Sequence, residues 1–190
     1  MKKLSLSILA FLTFAGINLY AQSNGAKDLV SDEKLCDFIE YAVSEAVFNF
    51  KLSKGDKTES AVTRYKYLQC LEGAKECYLS EGFKDHPEGG KKLKLVVLAA
   101  EYEGSSGRAA EAEYEALKRA LLRCDFFGFQ LYEESEGPGL GVAKRQRFDI
   151  RGGLGATNDV EVMVQLWAPI KSVIMDMETT TYKIELVVTP

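Results

Sequence analysis

Four cysteines constrain the fold of this 190-residue chain more than any other feature, because two disulfides would tie separate segments together. They lie at Cys36, Cys70, Cys77 and Cys124, and four cysteines allow three pairings. Cys70 and Cys77 flank a short segment in which Gly73 indicates a turn between two strands, which would place the two side chains opposite each other. The sequence therefore predicts a Cys70–Cys77 bridge, and a Cys36–Cys124 bridge between two predicted helices.

A metal site is the competing interpretation of these cysteines. Structural zinc sites usually combine cysteine pairs at CxxC spacing with histidines. The chain has no CxxC pair, and its one histidine is His86. We therefore expect disulfides, with no bound metal and no other cofactor.

The first 21 residues have the pattern of a secretory signal peptide. Two lysines precede an apolar run, and Ala21 supplies a small residue at the predicted cleavage site. A transmembrane anchor is the alternative, but the run is short for a bilayer core of about 30 Å and contains Ser, Thr, Gly and Asn. The sequence thus predicts that residues 22–190 form one soluble domain, exported to the periplasm or the cell exterior, where disulfides persist.

Composition narrows the classes of partner. The chain carries 24 basic and 28 acidic residues, a net charge of −4 at pH 7, and loss of the signal peptide removes two of the basic ones. Mild acidity argues against general affinity for nucleic acid. No later segment is apolar enough to span a bilayer, so we expect no membrane insertion of the mature chain. No asparagine begins an N-x-Ser/Thr glycosylation acceptor, which favours a bacterial envelope.

Hydrophobic periodicity predicts an α+β fold. Apolar side chains recur at helical spacing from Asp32 to Lys51 and again from Arg108 to Arg123. Strand patterns follow each helix, at residues 62–71, 74–83, 92–102, 126–132, 142–150, 160–167 and 182–188. We therefore expect two helices packed on one face of a largely antiparallel sheet of about six to seven strands, in the order α-βββ-α-ββββ.

The sequence assigns no catalytic residue. His86 is flanked by Asp85 and Glu88, whose carboxylates could orient an imidazole as a general base. The proline and glycines beside it predict an exposed loop instead, and the chain lacks the GxSxG and HExxH motifs. A small secreted hydrolase that uses His86 and loop carboxylates is therefore the alternative function.

One face of the late strands is the strongest candidate for a binding surface. If the valines of residues 160–166 point into the core, Met163 and Trp167 point the other way, while Arg145 and Arg147 share one face of the neighbouring strand. Trp, Met and Arg are enriched in interaction surfaces. The sequence predicts a binding site at these four residues, although Trp167 could instead cover a sheet edge and the arginines could only keep the strands solvated.

These patterns together predict an exported protein that acts by binding a protein or a cell-envelope component rather than by catalysis. Besides the hydrolase, a structural or assembly role is the third hypothesis, and it would require a large self-complementary surface. The sequence does not indicate an oligomeric state.

Overall fold

The computed structural model describes residues 32–58, 62–86, 90–104, 107–139, 141–152, 160–174 and 177–190. The predicted signal peptide at residues 1–21 and its cleavage site lie outside these ranges. Neither helix of the described ranges is long and apolar enough to cross a membrane.

Within the described ranges, nine strands form one antiparallel sheet, and two helices accompany it. Helix α1 spans Asp32–Val47 and helix α2 spans Gly107–Arg123. The strands are β1 (Lys54–Thr58), β2 (Arg64–Tyr67), β3 (Glu76–Asp85), β4 (Lys91–Glu103), β5 (Gln130–Gly139), β6 (Val142–Arg151), β7 (Glu161–Trp167), β8 (Ile170–Ile174) and β9 (Met177–Thr189). Their order in space is β1-β2-β3-β4-β9-β7-β6-β5, with β8 paired to β9 beside this path. The last strand of the chain therefore lies in the middle of the sheet.

The predicted fold class is wrong. The described part of the structure is mostly sheet, with 52% strand and 24% helix, rather than two helices on one face of six to seven strands. The observed order is α-ββββ-α-βββββ, because β1 and β8 are additional strands. β1 pairs only with β2 at the sheet edge, where both its faces meet water, so its sequence shows no apolar alternation. The sequence pattern of the segment 54–58 consequently resembles that of a polar loop.

Two more differences concern β5, at the other end of the sheet, and β8, beside the central strand β9. β5 begins at Gln130 and runs to Gly139, whereas the pattern predicts a strand at residues 126–132. β5 is the opposite edge strand, and its run of glutamates is exposed, so again no buried face marks it in the sequence. β8 pairs with the first half of β9, with Ile170 opposite Thr181, and so extends the sheet beyond Pro169.

The hydrophobic core contains side chains from both helices and from the central strands. Helix α2 contacts β4, β5, β7 and β9, and helix α1 contacts α2, β4 and β9. On the strands, Val162 lies opposite Val188 and Val164 lies opposite Leu186, and all four are fully buried. Burial of each such side chain contributes about 1.5–3 kcal/mol. This apolar pairing fixes the register of β7 against β9.

Two disulfides are present, Cys36–Cys124 and Cys70–Cys77, which is the pairing that the sequence predicts. The first joins α1 to the residue that follows α2, across 88 residues of chain. The second closes a loop of 7 residues between β2 and β3. Two disulfides in one chain are consistent with an exported protein.

The segment after α1 is held against β4 by one side chain. Asn49 and the buried Phe50 both have positive φ angles, 54° and 57°, which side chains rarely adopt. The Asn49 amide donates to the carbonyl oxygen of Lys91 at 3.0 Å, and its oxygen accepts from the backbone N–H of Leu93 at 2.7 Å. Asn49 thereby supplies the strand end with two hydrogen bonds and keeps the Phe50 ring in the core.

Candidate binding site on the open sheet face

Strand alternation places a second set of side chains on the face of the sheet that is turned away from the core, which we call the open face. One row of this face runs across five neighbouring strands, through Tyr78, Val96, Val187, Met163 and Arg147. The next row runs through Leu98, Glu185, Gln165 and Arg145. The register of the core strands thus determines which side chains meet on the open face.

A cavity of about 550 Å³ lies on the open face. Its apolar lining includes Val96, Val142, Met163, Trp167, Ile170 and Val187. Its polar lining includes Arg64, Lys94, Arg145, Gln165, Lys183 and Glu185. Ligand sites in proteins commonly have volumes of about 300–1,000 Å³, so the cavity is large enough to receive a small molecule or a few residues of another chain.

The charge of the cavity is opposite to that of the chain. Four cationic side chains line it, from Arg64, Lys94, Arg145 and Lys183, against the single carboxyl group of Glu185. The whole chain carries a net charge of −4. A cluster of cations in an acidic protein attracts anionic groups locally while the rest of the surface repels them.

Two of the four cations already have partners within the protein. The Lys183 ammonium lies 3.4 Å from a Glu101 carboxylate oxygen, and the Arg64 guanidinium lies 4.1 Å from the centroid of the Tyr78 ring. Lys94 and Arg145 form no ion pair with the described part of the chain. Among the described residues, Arg145 is therefore available to an anionic ligand at no cost in internal ion pairs, whereas the charge of Lys94 already acts on the Glu185 carboxyl group.

Three nitrogen atoms around the cavity are buried and have no hydrogen-bond partner among the described residues: Arg64 Nε, Arg145 Nε and Trp167 Nε1. A buried donor without a partner costs about 1–3 kcal/mol. A small movement of any of these side chains toward an acceptor in the cavity would recover part of that cost. The three donors thus favour a ligand that carries oxygen acceptors.

Glu185 is the only acidic residue among the described side chains that line the cavity. Burial raises the pKa of its carboxyl group, and this effect exceeds the lowering by the nearby Trp167 indole and by the Lys94, Lys183 and Arg64 cations. The indole N–H is near Glu185 but does not reach it in hydrogen-bonding geometry. Burial raises the pKa of the neighbouring Tyr78 hydroxyl as well, with the Glu185 charge adding to the effect.

The Trp167 ring rests on a glycine. Gly141 directly precedes β6 and has a φ of +73°. A Cβ atom at this position would lie 3.2 Å from the indole ring. The Gly141 carbonyl also accepts a hydrogen bond of 3.0 Å from the N–H of Ala168. Glycine is thus required twice at this position, for its backbone conformation and for the close approach of the ring.

The structure brings together three of the four residues that the sequence proposes as a binding site. Trp167, Met163 and Arg145 line the cavity. Arg147 lies on the same face but is not among the described residues that line the cavity. Its guanidinium forms an ion pair with Glu161 instead. That these residues bind a partner stays a prediction.

Sequence reasoning missed the cations that come from other strands. Lys183 and Glu185 alternate with the buried Ile184, a pattern visible in the sequence that places them on the face opposite the core. Arg64 and Lys94 give no such signal, because their position depends on which strands become neighbours. Lys94 and Arg145 line the same cavity because β9 lies between β4 and β7.

His86 lies outside this cavity. It follows β3, is half-buried, and its backbone N–H donates to the carbonyl oxygen of Gly90 at 2.8 Å. Residues 87–89 lie outside the described ranges, and with them the Glu88 carboxylate. Within the described ranges, no group of three or more His, Cys, Asp or Glu side chains could hold a metal ion.

No protein-family model, curated protein or solved structure matches this chain. Any assignment of function therefore depends on the chemistry of the open face.

Proposed function

We propose that this protein is an exported binding module, and that the cavity on its open face receives a protein or a cell-envelope component in the periplasm or outside the cell. One observation supports this above the others. Four cations and one carboxyl group surround an apolar floor in a chain whose net charge is −4. Such a site selects a partner that is both anionic and apolar.

The types of side chain in the cavity also favour binding over catalysis. Trp, Tyr and Arg supply most of the binding energy at protein interfaces, and the cavity contains Trp167, Tyr78 and two arginines. The described lining contains no histidine or cysteine. Its carboxyl group, Glu185, lies among three cations, Lys94, Lys183 and Arg64.

The proposal is tested with anilinonaphthalene sulfonate, a fluorescent anion with an apolar ring system. We expect one dye molecule to bind per folded chain, with weaker binding as the salt concentration rises. Circular dichroism of the same sample shows whether the chain is folded, since the dye also binds partly unfolded states.

Two variants locate the dye. Trp167→Ala should weaken binding by about 2 kcal/mol, and Arg145→Gln should weaken it about fivefold to tenfold. Arg119→Gln is the matched control, because Arg119 is exposed on α2 and forms no ion pair with the described residues. Absence of dye binding to the folded chain, or an equal loss in the control variant, would overturn the proposal.

A further inference from the structure

We propose that the cavity holds an alkyl carboxylate, an amphiphile with one anionic head and one hydrocarbon tail. This inference rests on the proposed binding function and names the chemical class of the ligand. It follows from a pair of donors on β6 and β7, from the charge balance of the cavity, and from the paired backbone of the strands that form its floor.

The head site consists of two side chains from neighbouring strands. Arg145 on β6 and Gln165 on β7 both line the cavity and occupy directly opposed positions, so their Cβ atoms are about 4.5–5.5 Å apart. Arg145 Nε is buried and has no hydrogen-bond partner among the described residues. Within the same residues, the Gln165 amide nitrogen donates only to the Met163 sulfur, at 4.0 Å. Two neighbouring donors without a close acceptor favour a ligand group with two oxygen acceptors, such as a carboxylate.

The charge balance of the cavity favours a single negative charge on the ligand. Three of the four cations in the described lining, Lys94, Lys183 and Arg64, already act on the Glu185 carboxyl group. The fourth cation, Arg145, forms no ion pair within the described residues. One carboxylate balances this charge, whereas a second anionic group would be buried without a partner, which is costly. A carboxylate head therefore fits better than a dianionic phosphate or a peptide with several acidic side chains.

Apolar side chains begin beside the head site and continue across the sheet. Met163 and Trp167 on β7 are the diagonal neighbours of Arg145, about 7–8 Å from it. From Met163 an apolar row continues through Val187 on β9 to Val96 on β4. These three strands are successive neighbours, so the row is about 10 Å long. A hydrocarbon tail whose head is bound by Arg145 can therefore lie along apolar side chains.

The backbone of the cavity floor is already paired. The strands β4, β9, β7 and β6 each have a neighbouring strand on both sides, so their N–H and C=O groups form hydrogen bonds within the sheet. A peptide on this floor would bring one backbone donor and one acceptor per residue that the floor cannot pair, and a buried polar group without a partner is destabilising. A hydrocarbon tail brings no such groups. The floor thus favours an alkyl chain over a peptide.

The test is displacement of the bound dye by decanoate, at concentrations below those at which decanoate forms micelles. We expect decanoate to bind about tenfold more tightly than octanoate, because burial of each added methylene strengthens binding by up to about fourfold. Decanol and decylamine should bind about tenfold more weakly than decanoate, because they lack the anion that Arg145 receives. Decyl phosphate should also bind more weakly than decanoate, because it brings a second negative charge.

Two variants test where the head binds. Arg145→Gln should weaken decanoate binding about tenfold and leave decanol binding unchanged, because the charge-assisted hydrogen bonds of the head are lost. Arg147→Gln is the matched control, since Arg147 lies on the same strand and face, pairs with Glu161 and is not among the described residues that line the cavity. We expect this control to bind decanoate as the wild type does. Circular dichroism shows whether both variants are folded.

Four results, each obtained with a chain that still binds the dye, would overturn the inference and leave the binding function intact. They are no displacement by decanoate, equal binding of decanoate and decanol, tighter binding of decyl phosphate, and equal losses in the two arginine variants. Displacement by a capped acidic peptide but not by decanoate would also overturn it and would identify a protein segment as the occupant. A chain that binds no dye would instead refute the binding function itself.

Discussion

Removing the Cys36–Cys124 disulfide should destabilise the protein far more than removing Cys70–Cys77. A disulfide lowers the conformational entropy of the unfolded chain, and the decrease grows with the logarithm of the number of residues in the closed loop. The two bridges close loops of 88 and 7 residues. The chain-entropy relation then gives about 4.6 kcal/mol for the first bridge and about 2.4 kcal/mol for the second, a difference of about 2 kcal/mol.

Packing should widen this difference. Cys36 and Cys124 both lie against the hydrophobic core, whereas in the second pair Cys77 lies against it and Cys70 is exposed. Replacing the first pair by alanine therefore removes buried contacts as well as the cross-link. Helix α1 would also lose its covalent connection to the end of α2.

Urea unfolding of the two double-alanine variants measures the effect. The single tryptophan, Trp167, lies at the sheet and reports loss of the strands by fluorescence. Peptide mapping without reduction first shows which cysteines are joined in the oxidised protein. Equal free energies of unfolding for the two variants, or a larger loss on removal of Cys70 and Cys77, would refute the loop argument. A Cys36–Cys77 bridge, or four free thiols, would refute the pairing itself.

Two other substitutions test the fold and the cavity. Asn49→Ala should lower the free energy of unfolding by about 2 kcal/mol, because two hydrogen bonds to β4 are lost. Asn49→Asp should lose less, because its side-chain oxygen can still accept the hydrogen bond from the Leu93 N–H. Equal losses in the two variants would contradict this account. Burial raises the pKa of the Glu185 carboxyl group in the folded state above the ordinary value of 4.5. The protonated carboxyl group therefore contributes stability at pH values below 4.5, and this contribution is lost as the pH rises through the folded-state pKa. In urea titrations, the Glu185→Gln variant should therefore become more stable relative to the wild type as the pH rises from about 4 to about 7. The opposite trend would show that the neighbouring cations affect the pKa more than burial does.

The sequence contains enough information to place single strands but not to order them. Alternation along residues 160–167 correctly separates the buried valines from Met163 and Trp167, since a strand has only two faces. The same reasoning fails at β1 and β5, because an edge strand has no buried face to mark its period. Insertion of β9 between β4 and β7 depends on long-range pairing, which no local pattern encodes.

This topology explains why the candidate site could be recognised only in part. Trp167, Met163 and Arg145 come from strands that are adjacent in the chain as well as in the sheet, so their shared face is visible in local sequence. Arg64 and Lys94 belong to the first half of the chain and meet Lys183 only because β9 pairs with β4. The positive charge of the cavity is therefore a property of the strand order.

The core and the cavity depend on one register. On β9, Ile184, Leu186 and Val188 are fully buried, while Lys183 and Glu185 project to the open face between them. A slip by one residue would move three apolar side chains out of the core and place two charged ones within it. Because the apolar burial is worth several kcal/mol, it holds the charged side chains of the cavity in fixed positions that a surface loop could not maintain. A binding site built on this strand is therefore preorganised by the same contacts that stabilise the sheet.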